Sequence, residues 1–180
     1  MSEPKVVGPG EGKAYVLMGS VHITFKRRGA PGEGYSIFED ACQAGYQGHP
    51  PHFHRYQDEN FYVLEGNSEF LVDDRTLECG PGTFLHLPKG TVHTFRNIGE
   101  GDGKLLVPIS PAGGFEDVVE ELGEPTQEKT PPTPASGPPD AATAERLAAV
   151  ASKHGIEIVS PPLSIKARRT SENRPIHPTS

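Results

Sequence analysis

Two histidines stand two residues apart at His52 and His54, and a glutamate follows at Glu59. Alternate side chains of an extended strand share a face, so both imidazoles project together while Phe53 turns away. The four residues between His54 and Glu59 allow a tight turn, after which Glu59 opens a neighbouring antiparallel strand on the same face. His93 begins a later strand behind a Pro88-Lys89-Gly90 turn and brings a third imidazole. Imidazoles and a carboxylate converging inside a protein are ligands for a borderline divalent transition metal. Fe, Ni, Mn and Co all suit such nitrogen and oxygen donors, and Zn is a further occupant of the same set. A lone H-x-H would read as packed or solvated histidine. Here five of the eight histidines fall within residues 48–66 and 82–97, and that clustering favours the metal.

Strands must position these groups, and the chain supplies them. Val21, Ile23 and Phe25 alternate with His22, Thr24 and Lys26, the period of a half-buried strand over 20–27. Further strands are predicted at 14–18, 35–43, 52–55, 59–65, 68–73, 75–79, 83–87, 92–97 and 104–109. Turn residues such as Glu65-Gly66-Asn67 and Gly80-Pro81-Gly82 separate them. Gly and Pro, 21 and 19 of the 180 residues, are far above the usual share of about 12%. Many short strands without intervening helices predict an all-β sandwich or barrel.

The pattern changes after Pro111. Phe115, Val118, Val119 and Leu122 lie on one face of a helix over 115–122, which Gly123 and Pro125 stop. Residues 125–139 read as a proline-rich linker. Asp140 caps a second helix through about residue 154, with Gly155 placed for its C-terminal turn. The layout is then an N-terminal arm over 1–13, a barrel with its following short helix over 14–124 and the linker. After these come a helix and edge strand over 140–159 docking on the barrel, and a flexible tail over 160–180. Removing the tail should leave fold and metal content unchanged.

A net charge of −7 argues against nucleic acid held by phosphate neutralisation and against a polybasic membrane anchor. The N-terminal residues have no apolar stretch of signal-peptide type, and no segment approaches membrane-spanning length. Cys42 and Cys79 form no C-x-x-C pair and read as buried thiols in a reducing compartment. A cytoplasmic protein is expected.

The two stretches read H-x-H, four residues, E, six residues, G, and then G, five residues, P-x-G, two residues, H, three residues, N. They resemble the two fixed-spacing motifs of the cupin superfamily, filled by His52, His54, Glu59 and Gly66, then Gly82, Pro88, Gly90, His93 and Asn97. Residues 14–123 as a whole are similar to small single-domain bacterial cupins of the quercetin 2,3-dioxygenase-like kind. The resemblance implies a single antiparallel jelly-roll β-barrel, with two short C-terminal helices here, binding one divalent metal on His52, His54, Glu59 and His93. It also implies a homodimer, with the strand at 14–18 a candidate for exchange between subunits. In dioxygenase-like cupins the ligand glutamate also accepts the substrate's hydroxyl proton, a role that falls on Glu59.

The expected function is a metal-dependent oxygenase acting, with O2, on a small enolisable or phenolic compound. The alternatives are a non-oxidative isomerase, cyclase or decarboxylase, and a ligand-binding cupin without turnover, because fold alone does not choose the chemistry. Phe61, Val63 and Phe95 share the parity of the ligands and face the interior, as core or as substrate wall. Tyr35 and Tyr46 could hydrogen-bond a substrate, and His86 is a candidate for the cavity or for the exterior. His22 and His49 read as surface residues.

Overall fold

The computed structural model describes residues 4–134, 137 and 139–159. The tail expected over 160–180 and the first three residues of the arm lie outside the described residues. Short apolar bursts broken by glycine and proline produce β1 (Lys13–Leu17), β2 (Val21–Arg27), β3 (Ser36–Cys42), β4 (His52–His54) and β5 (Asp58–Glu65). Then follow β6 (Ser68–Val72), β7 (Arg75–Cys79), β8 (Phe84–Leu87), β9 (His93–Asn97) and β10 (Gly103–Ser110). The C-terminal part adds α1 (Phe115–Leu122), β11 (Glu124–Thr126), α2 (Ala141–Lys153) and β12 (Ile156–Ile158).

The strands form two antiparallel sheets, ordered β11-β1-β2-β3-β10-β5-β8 and β12-β4-β9-β6-β7. Their inner faces share one core, with Phe38, Phe61 and Val63 from the first sheet meeting Phe70 and Phe95 from the second. Phe61, Phe70 and Phe95 pack with ring centroids 5.1 to 5.9 Å apart, the offset and edge-on range that aromatic rings favour. The architecture is the expected all-β jelly roll, but as a sandwich, since hydrogen bonding does not close it into a continuous barrel. β4 meets β9 at the single pair His52–His93, and β7 and β8 end their sheets without a common partner. β1, expected to exchange between subunits, pairs with β2 and β11 of its own chain.

The half-buried reading of β2 needs correction. His22 and Thr24 are buried along with the apolar positions. The chain after β11 crosses this face: His22 Nε2 donates to the Glu128 carbonyl at 2.8 Å, and Gln43 donates to the Pro131 carbonyl at 2.9 Å. His22 is therefore no surface residue, and the proline-rich stretch is anchored to the sheet.

α1 is amphipathic. Val119 enters the main core, while Val118 joins Val150 and Ala151 of α2 and Ile156 of β12 in a smaller cluster. Phe115, at the first turn of α1, stacks on Phe38 with centroids 4.9 Å apart. The Asp140 side chain caps α2 by accepting from the Thr143 amide at 2.9 Å.

Candidate metal centre

β4 turns His52 and His54 inward, β9 places His93 opposite His52, and β5 brings Glu59 across from the other sheet. Gly48 lets the chain approach β9 before β4 begins; its φ is +93°, and a Cβ there would lie 2.3 Å from the Phe95 carbonyl oxygen. One donor atom from each of the four residues lies within 4.8 Å of all the others. His52 Nε2 is 3.2 Å from His54 Nε2. Glu59 Oε2 is 3.1 Å from His54 Nε2 and 2.8 Å from His93 Nε2. Two donors each bound at about 2.1 Å to one ion stand roughly 3 Å apart when adjacent in its coordination sphere, so these separations fit a shared metal.

The far side of each ring supports the same assignment. His52 Nδ1 faces the Pro50 carbonyl at 3.2 Å, His93 Nδ1 the Thr91 carbonyl at 3.0 Å, and His54 Nδ1 the Gln57 side-chain oxygen at 3.3 Å. An imidazole that gives its Nδ1 proton away holds its Nε2 lone pair for a ligand.

Electrostatics act differently on the members of the cluster. Burial pushes the Glu59 carboxyl up, but the charge and hydrogen bonds of His54 and His93 outweigh it and hold the group well below the usual carboxylate range. Burial, reinforced by His93, His49 and His54, keeps His52 well below an ordinary imidazole. His93 moves the other way: burial opposes its proton, and the hydrogen bond to Glu59 prevails. The donor set is three imidazoles and one ionised carboxylate, which suits a divalent transition metal.

Residues 38–109 match the cupin domain family. This region is a cupin domain. The cupin region is 36% identical over 74 residues to quercetin 2,3-dioxygenase of Bacillus subtilis, spanning 41% of this chain and 21% of that enzyme. Across the first curated relatives it matches, the chain spans 21 to 58% of their length. The polyketide cyclase RemF of Streptomyces resistomycificus has a similar structure, with a TM-score of 0.51 and 27% identity over 59% of this chain and 79% of that one. KdgF of a Halomonas species, at a TM-score of 0.54 and 16% identity, covers 61% of this chain and 94% of its own, and shares the fold.

Around the cupin's four-residue cluster, the other candidates divide. Phe61 packs beside His93 at 6.0 Å, and Phe95, Val63 and Tyr46 are buried in the core beneath the cluster. Tyr35 does not join them: it is 45% exposed and lies against the Arg27 guanidinium. His86 is also outside. It pairs with Asn60 on β5, whose side chain points opposite to that of Glu59, and meets the Asn60 side-chain oxygen at 2.7 Å on the outer face. Parity read back from Leu87, the partner of Glu59, would have placed it there. A cavity of about 300 Å³ is lined by Tyr56, Gln57, Gly113, Gly114, Asp117 and His154, and by none of the six pocket candidates.

Two neighbours of the centre escaped sequence reasoning. His49, expected at the surface, instead stands edge-on to His52 at 4.7 Å and to Phe95 at 5.3 Å, and burial followed by the nearby His93 brings its imidazole down to about 4. Gln57, in the turn between His54 and Glu59, is buried against His54. Nothing in the spacing singled out either residue. Only the hydrogen-bonding type of Gln57, so close to two ligands, could have drawn notice.

Proposed function

We propose that this chain is a metal-dependent cupin enzyme acting on a small enolisable or phenolic compound, first as an oxygenase of the quercetin-dioxygenase-like kind. The observation that carries the reading is the donor set: three imidazoles with Nε2 turned inward and one carboxylate, converging between the two sheets. Held by His52, His54, Glu59 and His93, a divalent transition metal would supply Lewis acidity and, if redox-active, the means to activate O2.

The chain's own residues do the rest. Glu59 takes the hydroxyl proton of the substrate on its carboxylate, leaving the oxygen anionic, and returns that proton to the product. With their Nδ1 sides turned to oxygen acceptors, His52, His54 and His93 would present Nε2 to a bound metal. The ligands are 2 to 9% exposed, so water is largely excluded and charge on the substrate is felt strongly. Phe115, half-buried with its ring 6.2 Å from that of His54, flanks the centre with a flat apolar surface suited to an aromatic or conjugated substrate.

The likeness to RemF favours a second reading, in which the same centre acts without O2 and Glu59 deprotonates a carbonyl compound ahead of ring closure. Metal-loaded protein presented with flavonols and with linear poly-β-ketones, in air and anaerobically, separates the two. Product that forms only with matching O2 uptake supports the oxygenase, and product that forms equally without O2 establishes the non-oxidative enzyme. Tight binding of either compound class without turnover would leave a ligand-binding cupin.

A further inference from the structure

Gln57 makes four hydrogen-bond contacts, and two of them fix which way its amide faces. The Phe115 backbone N–H can only donate, and it reaches Gln57 Oε1 at 3.1 Å. The Pro111 carbonyl can only accept, and it takes a hydrogen from Gln57 Nε2 at 2.8 Å. Oε1 is therefore the atom that faces His54 Nδ1 at 3.3 Å, and an amide oxygen offers only lone pairs. Nδ1 must carry a ring proton, and Nε2 is the atom left to face a metal beside Glu59 and His52. The grip extends outward. Gln57 Nε2 also donates to Glu116 Oε2 at 3.3 Å, and Glu116, fully buried, accepts from the Gly113 amide at 3.0 Å through its other oxygen. Gly114 makes the approach sterically feasible, since a Cβ there would fall 2.5 Å from Gln57 Oε1. His52 and His93 lean on carbonyls of residues two before them in sequence, whereas His54 leans on a side chain held by the first turn of α1.

We propose that Gln57, braced by Glu116, is a positioning residue that sets the tautomer and orientation of His54 and ties α1 to the metal centre. The inference rests on the metal reading above. One oxygen serves both His54 Nδ1 and the Phe115 amide, so ordering His54 orders the start of α1, and the coupling acts equally in reverse.

Co(II) titration of the full chain, followed by its visible absorption, tests this. Wild type should bind one Co(II). Gln57→Leu, which keeps the bulk and removes the acceptor, should lower affinity about 10- to 100-fold and alter the spectrum, the usual effect of losing a ligand's hydrogen-bond partner. Glu116→Gln, which loosens the brace alone, should give a smaller loss in the same direction, and it serves as the test if Gln57→Leu fails to fold. Val150→Ala, which weakens the α1–α2 contact without touching Gln57, should lower stability and keep Co(II) affinity and spectrum. Zn(II) should slow amide exchange across residues 113–117 in wild type and less so in the Gln57 or Glu116 variant. Wild-type affinity and spectrum in Gln57→Leu, or an equal loss in Val150→Ala, would overturn the positioning role and leave the metal centre standing. A wild type that takes up no Co(II) would overturn the metal reading, and this inference with it.

Discussion

Glu59 has two tasks that one substitution can separate. It lies within hydrogen-bond reach of two ligand imidazoles, and it is the ionised carboxylate of the cluster. Glu59→Gln keeps the shape and one oxygen donor, so metal binding weakens and survives on the three histidines. An amide has no basic lone pair to receive a proton. At saturating metal, turnover should fall about 10²- to 10⁴-fold, the usual worth of a positioned base, with partial recovery at high pH where the substrate ionises unaided. A metal-loaded Glu59→Gln with nearly full activity would confine Glu59 to ligation. His93→Ala asks a different question. It removes one imidazole and leaves Glu59 Oε2 without its 2.8 Å partner, so stoichiometric metal should be lost, as elemental analysis of the purified protein would report. The lost packing should cost roughly 1–3 kcal/mol in urea unfolding, because the phenylalanine core below it is untouched.

At the scale of elements, what was legible in the sequence was what local chemistry decides. Alternation and turn residues located the strands, and Asp140, followed by a run of helix formers, located the start of α2. Asp140→Ala should therefore lower the midpoint of thermal or urea unfolding and leave metal content unchanged, since the cap sits at the start of α2 and touches none of the four clustered residues. A loss of metal in that variant would mean that α2 reaches the centre. The cluster was legible too, through strand parity and spacing, but not the route to it: Glu59 lies on β5 in the opposite sheet and meets His52 and His54 across the core, instead of beside them on a neighbouring antiparallel strand as expected. What escaped was decided by distant contacts. The burial of His22 depends on a carbonyl 106 residues away, and the tie between Gln57 and Glu116 spans 59 positions. β11 was missed for a similar reason: Glu-Pro-Thr has no strand pattern of its own and becomes a strand only where β1 offers an edge.

The molecule as a whole buries a carboxylate that the proposed chemistry does not use. Asp40, on β3, is 7% exposed, and its Oδ1 has no hydrogen-bond partner. Burial, with the charge of Glu59 on β5 adding to it, pushes this carboxyl up to about 8. Cys42 on the same strand and Tyr46 beyond it are the other titratable groups that sense Asp40. Burial first and Asp40 second raise the Cys42 thiol to about 12 and the Tyr46 hydroxyl well above its usual range. Neither ionises below pH 8. The sign for stability follows from proton counts. Between the ordinary aspartate value near 3.8 and about 8, the folded protein keeps a proton that the unfolded chain has released. Stability contributed at this site is therefore lost as pH rises through that window, by at most about 1.4 kcal/mol per pH unit. His49 and His52, held neutral by burial, act on the acid side and are common to wild type and variant, so they cancel in a comparison. Asp40→Asn carries no titrating proton, and whatever its buried amide costs is the same at every pH. Urea unfolding at pH 5, 6.5 and 8 should show wild type losing stability relative to Asp40→Asn with each step upward. A difference between the two proteins that stays constant from pH 5 to 8 would show that Asp40 is ionised throughout, and that the fold carries a buried negative charge in place of a neutral acid.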